Sequence, residues 1–250
     1  MPERSLILYL PIATTLLTVL FAASIYRRYL QRGRRGNHLL WWTFGVITYG
    51  MGTFAESYIT LLGWNPVIFK FWYIVGALMG GAPLATGTVW LLLSPRAALR
   101  WSVAMVSVVT VAAVFVILSP IHMAGVDPYL PSGAALGWQW VRRFSPLINT
   151  YAVVFLIGGA GLSAWRFRRE ALAGGAGAPL AQDRFMGNLL IAVGAILPGI
   201  GGASSRAGHT EVLYITELVG IILIWLGYRF NIRKRPIAAP DQPAIAGPVS

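Results

Sequence analysis

The chain lacks cysteine and has few charged residues. None of its 250 residues is cysteine, which excludes a disulfide scaffold and cysteine-based zinc or iron–sulfur sites. Charged residues make up 11% of the chain, whereas soluble domains carry about a quarter. Because 56% of the residues are hydrophobic and the mean hydropathy is +0.65, the composition is that of an integral membrane protein.

Long apolar runs predict transmembrane helices. A bilayer core of about 30 Å is crossed by roughly 20 apolar residues in helical conformation. Seven segments reach this length, and they are residues 5–25, 40–62, 66–93, 101–119, 144–165, 185–204 and 211–229. We therefore predict an all-α fold, an integral membrane bundle of seven transmembrane helices. Pro83 predicts a kink or a tilt of the third helix, and the glycines of residues 199–202 predict a broken end in the sixth.

The basic residues are distributed unevenly over the predicted loops. Fifteen of the 20 fall in residues 26–39, 94–100, 166–184 and the segment from Arg229 onwards. Because cytoplasmic loops carry the excess of arginine and lysine, we expect the N-terminus outside and the C-terminus inside. Residues 1–235 would form one seven-helix domain in the cytoplasmic (inner) membrane, and residues 236–250 a disordered cytoplasmic tail.

The net charge of +12 has an explanation in the membrane itself. A strongly basic chain can indicate binding to nucleic acid. Here the excess lies in short clusters beside the predicted spans, where topology and anionic lipid head groups account for it. We therefore expect membrane lipids, and not nucleic acid, as partners.

Two glutamates lie inside the predicted spans, where an ionisable side chain costs about 2.5–3.5 kcal/mol and indicates function. Glu56 and Glu217 are each six residues from the predicted outer end of a helix, so both lie about 9 Å deep. Each belongs to a polar stripe at helical spacing. These stripes comprise Tyr49, Thr53, Glu56 and Thr60 on the second helix, and Thr210, Tyr214 and Glu217 on the seventh.

Further polar residues are predicted near the same outer level, whereas the inner half of the bundle has almost no ionisable residue away from its basic rim. They are Lys70, Asn149, Arg206, His209 and Glu211. This asymmetry predicts a ligand-binding or proton-binding pocket that opens to the extracytoplasmic side or to the outer leaflet. The alternative is a Glu56–Lys70 ion pair that only fixes the register of two helices.

No motif of a known catalytic site is present. The sequence has no Ser/His/Asp signature, no zinc-protease motif and no phosphate-binding loop. His209 and Glu211 lack a third ligand nearby in sequence, so no metal is predicted. The last helix lacks the lysine that would attach retinal, and we predict no cofactor.

Three functions fit these features. The first is a sensor or receptor that binds a small or lipid-like ligand, with a separate signalling or enzymatic protein reading its state. The second is a proton-coupled transporter that uses Glu56 and Glu217. The third, an intramembrane lipid-modifying enzyme, is disfavoured because no nucleophile or metal site is found.

Overall fold

The computed structural model describes residues 6–124 and 130–233, and most of them are helical. This part of the chain has no named β-strand, and Ile121 and Leu136 form an isolated antiparallel bridge. The α-helices are α1 (Leu10–Gln31), α2 (Asn37–Leu62), α3 (Pro66–Trp72), α4 (Ala82–Leu92), α5 (Pro95–Leu118), α6 (Phe144–Ala152), α7 (Gly158–Leu172), α8 (Ala178–Arg206) and α9 (Thr210–Ile232). The predicted all-α class is therefore confirmed, and the predicted tail, residues 236–250, lies outside the described residues.

Six segments are long and apolar enough to cross a membrane. They are Leu6–Gln31, Pro66–Leu92, Pro95–Leu118, Gln139–Leu172, Ala178–Arg206 and Thr210–Ile232. Helix α2 is not among the six, although it has 26 residues, because its buried face carries many polar side chains, Glu56 included. The predicted count of spans is thus confirmed for six, with α2 as a more polar seventh helix of the same bundle.

The helices pack as a ring with one helix outside it. Contacts join α1 to α2, α2 to α4, α7 to α8, α8 to α9 and α9 back to α1, while α4 meets α7 through the residues that join α6 and α7. Helix α5 packs against α4 and α6 and lies outside the ring. We call the end where α1 finishes and α8 begins the basic end, since the arginine clusters lie there. The far end is where α2 finishes and α9 begins.

The third predicted span is broken rather than kinked. After α3, residues Tyr73–Leu78 form a π-helical turn, and residues 79–81 are not helical before α4 begins at Ala82. Pro83 lies in the first turn of α4, where a missing N–H costs nothing. A second π-helical turn, Val153–Ile157, joins α6 to α7.

The predicted broken end of the sixth span is wrong. Helix α8 continues from Ala178 through Pro198 to Arg206. Small residues let α9 pack closely along it, because a Cβ on Gly194 would lie 2.7 Å from the Gly220 carbonyl oxygen and one on Gly201 would lie 2.8 Å from Leu213 Cα. Gly187 faces Gly227 in the same antiparallel register, so packing holds α8 helical over its full length.

The long connection between α5 and α6 folds against the far end. It contains two short 3-10 helices, Gly133–Ala135 and Gln139–Arg143. Leu136 and Val141 are fully buried, whereas Trp138 and Trp140 are 36% and 46% exposed. The connection therefore covers part of the far end with apolar side chains while its tryptophans face outward.

Candidate functional site

The structure brings the two predicted intramembrane glutamates together near the far end. The carboxyl groups of Glu56 on α2 and Glu217 on α9 lie within hydrogen-bonding range of each other. Glu56 is 2% exposed. Glu217 is half-buried as a residue, but its Oε2 atom is buried. The two residues are far apart in sequence, so the contact connects the second and the last helix of the ring.

Aromatic side chains fix the positions of both glutamates. The Trp72 indole Nε1, at the end of α3, donates a hydrogen bond of 2.9 Å to Glu56 Oε1. The Tyr49 hydroxyl on α2 donates to the backbone carbonyl of Glu217 at 3.0 Å. Tyr214, one turn before Glu217, is fully buried. The carboxyl pair, by which we mean Glu56 and Glu217, is therefore held by three helices.

The carboxyl pair has no nearby cation in the described part of the chain. Neither carboxyl group forms a salt bridge with a described residue, and Glu56 Oε2 and Glu217 Oε2 are buried without a hydrogen-bond donor in residues 6–124 and 130–233. Two ionised carboxylates within hydrogen-bonding range of each other in an apolar environment would repel each other. One proton between the two groups would remove the repulsion and satisfy both oxygens, so the arrangement can bind a proton.

Two other predicted residues are used for contacts between helices. Thr53 on α2 shares a hydrogen bond of 2.9 Å with Thr15 on α1. Lys70 donates from Nζ to the carbonyl of Ile117, at the end of α5, at 2.6 Å. Lys70 therefore does not pair with Glu56, and the predicted Glu56–Lys70 alternative is not what the structure shows.

The remaining predicted residues lie at the surface. Asn149 is exposed and donates to Ser145 Oγ at 3.2 Å. Arg206 is exposed at the last residue of α8. His209 Nδ1 lies 3.4 Å from Glu211 Oε1, with side chains 67% and 49% exposed. None of these residues contacts the carboxyl pair through a described hydrogen bond or salt bridge, and residues 6–124 and 130–233 hold no group of three potential metal ligands.

The larger of the two described cavities lies at the basic end, opposite the predicted outward-facing pocket. It has a volume of about 570 Å³ and is lined by residues of α1, α2, α4, α7, α8 and α9. At the far end the backbones approach closely instead, because a Cβ on Gly52 of α2 would lie 3.0 Å from Gly76 Cα. The smaller cavity, about 230 Å³ between α1 and α2, has an apolar lining surface. Sequence reasoning assigned the arginines to topology and so missed the larger cavity.

His38, at the start of α2, lines the basic-end cavity. It precedes the predicted span 40–62, and its ring meets Trp42 edge-on with centroids 5.2 Å apart. Burial, with smaller contributions from Arg32 and Arg28, lowers the pKa of His38 below its usual value. The positive charge of the cavity at neutral pH therefore comes from its arginines.

The comparisons with known proteins give no match. No family model, curated protein or solved structure is significantly similar to this chain. A functional assignment therefore depends on the chemistry of the two ends of the bundle.

Proposed function

We propose that the chain is a seven-span membrane protein of the sensor or receptor type, and that its responsive element is the carboxyl pair. The proposal depends on one observation, the contact between two buried carboxyl groups with no neighbouring described cation. A proton between Glu56 and Glu217 attracts α2 to α9, whereas its loss leaves two like charges that push the helices apart. Protonation thereby selects between two packings of the ring.

The proposed orientation has the N-terminus outside and the C-terminus inside the cytoplasmic membrane. Its support is the asymmetry of arginines, since the basic end carries those of residues 26–39, 94–100 and 166–184. In this orientation the carboxyl pair lies nearer the outer surface and takes its proton from outside. Membrane lipids surround the bundle, and a separate signalling or enzymatic protein would read its state at the cytoplasmic face.

The absence of cysteine allows a direct test with introduced labels. Leu62, 72% exposed at the end of α2, and His209, just before α9, would be replaced by spin-labelled cysteines in the full chain in nanodiscs. We expect the label-to-label distance by pulsed electron resonance to change by about 1–2 Å or more as the pH is raised. The change should be absent in Glu217→Gln, because that variant cannot form two facing carboxylates.

A distance that is independent of pH, or that changes equally in Glu217→Gln, would contradict the proposal. The same cysteine at position 209 reports orientation. A membrane-impermeant maleimide should label it from outside intact cells and should leave Ala176→Cys, in the exposed loop at the basic end, unlabelled.

A proton-coupled carrier is a second candidate, favoured by the position of the cavity. Alternating access requires a binding site that is closed towards one side of the membrane while it is open towards the other. The carboxyl pair is sealed near the far end, and the larger cavity is at the basic end. Proteoliposomes under an imposed pH gradient should show proton movement that Glu217→Gln lacks if the chain is a carrier, and none if it is a sensor.

A further inference from the structure

The cavity at the basic end has the size and construction of a binding site. Its volume of about 570 Å³ falls within the range of about 300–1,000 Å³ that is typical of ligand pockets. Six helices contribute to its lining, so it lies inside the ring and not between the ring and α5. On the α7 side the wall is closely packed, because a Cβ on Gly159 would lie 2.7 Å from Thr88 Cγ2 and 3.0 Å from Leu92 Cδ1 of α4.

The lining changes from apolar to polar along the helix axes. Towards the middle of the bundle it is formed by apolar side chains such as Phe21, Leu84, Leu156 and Ile224. Closer to the basic end the lining contains Arg28 of α1, Arg32 just after α1, Arg166 of α7 and Arg184 of α8. A single molecule in this cavity would meet an apolar surface at one end and guanidinium groups at the other.

The positive charge in the lining is largely uncompensated by the residues that the structure describes. Four arginines and one carboxylate, Glu170, line the cavity. None of the four arginines forms a salt bridge with a residue in the described ranges. The Arg184 guanidinium instead lies over the Phe167 ring, 5.3 Å from its centroid. Arginine donors in this state are available to an anionic group, which they bind through charge-assisted hydrogen bonds.

A buried hydroxyl group in the lining also lacks a partner. Tyr228 is 5% exposed, and its hydroxyl is buried without a hydrogen bond to any described residue. Buried polar groups are rarely left unsatisfied in native proteins, so such a group indicates a partner beyond the described residues, as a bound ligand would be. Beside it, Asn188 donates to Asn231 Oδ1 at 3.1 Å and connects α8 to α9 at the same level.

We propose that this cavity binds an amphiphile with one apolar chain and an anionic head group, a phosphate or a carboxylate. The chain would occupy the apolar part near Phe21 and Ile224, and the head group would lie among Arg28, Arg32, Arg166 and Arg184. The Tyr228 hydroxyl would donate to the head group or to its first polar atom. This inference goes beyond the proposed function and does not depend on the carboxyl pair.

The test uses three probes that distinguish the contribution of the alkyl chain from that of the anionic head group. Equilibrium binding of radiolabelled dodecyl phosphate, dodecanol and inorganic phosphate would be measured on the full chain in nanodiscs of zwitterionic lipid, with empty nanodiscs subtracted. We expect saturable binding of one dodecyl phosphate per chain. Dodecanol lacks the anionic group, and inorganic phosphate lacks the alkyl chain. Each should bind at least about tenfold more weakly than dodecyl phosphate, since charged hydrogen bonds and buried apolar surface both contribute to its affinity.

Matched variants locate the site. Arg28→Gln and Arg184→Gln, both half-buried in the lining, should each weaken dodecyl phosphate binding about tenfold. Arg100→Gln removes the same charge from the exposed start of α5, outside the lining, and should change the affinity less than twofold. Ser163→Trp, which fills the cavity from α7, should abolish binding while the thermal transition of the variant persists.

Three results would overturn the proposal. Binding of dodecanol as tight as that of dodecyl phosphate would show partition into the bilayer only. An equal loss of affinity in Arg100→Gln and Arg184→Gln would show attraction to the charged surface only. If both Ser163→Trp and Arg28→Gln bound dodecyl phosphate as the wild type does, the probe would bind outside this cavity.

Discussion

Each end of the ring brings together side chains of one charge, and the two ends differ in the free volume around those side chains. At the far end, two acids face each other in a closely packed interior, so the smallest possible cation, a proton, can satisfy both. At the basic end, four arginines face a cavity of about 570 Å³, and their charge remains available to a larger anion. Like charges that a fold brings together thus indicate the sign of the ligand's charge, and the free volume around them limits the ligand's size.

The α8–α9 seam connects the two ends, and disturbing it should have the largest effect. Gly194→Ala would place a Cβ 2.7 Å from the Gly220 carbonyl oxygen, where the neighbour is backbone and cannot rotate away. Overpacking costs typically about 1–3 kcal/mol, and we expect the thermal unfolding midpoint in detergent to fall accordingly.

Gly199→Ala on the same helix is the matched control for the seam. Its Cβ would meet no atom within 4 Å, and alanine favours the helix by about 0.5–1 kcal/mol. This variant should be neutral or slightly more stable. If both alanine variants melted at the same temperature, close packing of α8 on α9 would not be what holds the two ends together.

Replacing Glu56 tests how the carboxyl pair contributes to stability at the far end. Glu56→Ala leaves the Trp72 indole N–H buried without its acceptor, which costs about 1–3 kcal/mol of folding free energy. Glu56→Gln keeps an acceptor for Trp72 and supplies an N–H for Glu217, so its stability at neutral pH should lie within about 1 kcal/mol of the wild type. Thermal unfolding in detergent measures both.

The pH dependence separates the two states of the pair. Raising the pH creates two facing carboxylates in the wild type and one in Glu56→Gln. The wild type should therefore lose stability relative to Glu56→Gln in alkaline buffer. A loss of stability in Glu56→Gln as large as in Glu56→Ala would contradict the shared proton, because the amide keeps the volume of the side chain and supplies the same hydrogen bonds.

Much of the far end could be predicted from sequence because depth and helical face depend on local spacing. Glu56 and Glu217 lie at equal depth in the predicted spans, and the structure brings their carboxyl groups together. The small residues of α8 that pack on α9, Gly187, Gly194 and Gly201, also recur on one helical face. What the sequence did not indicate is that Lys70 reaches Ile117 rather than Glu56.

The basic end was not predictable in the same way because its site is an empty volume between six helices. The arginines of residues 26–39 and 166–184 had a sufficient explanation in topology, so their number carried no information about a site. A cavity forms where side chains from several helices leave space unfilled, and the spacing of residues along one helix does not indicate this. The nearest signal in the sequence is the run of small residues at 158–161, one to two turns before Arg166.

The carboxyl pair should hold one proton at neutral pH. Infrared spectroscopy of the full chain in nanodiscs at neutral pH measures this directly, because a protonated carboxyl group has its own carbonyl stretching band. We predict one such band in the wild type, unchanged in Glu211→Gln at the exposed surface and absent in the double variant Glu56→Gln, Glu217→Gln. A wild type without the band, or a double variant that keeps it, would contradict the account.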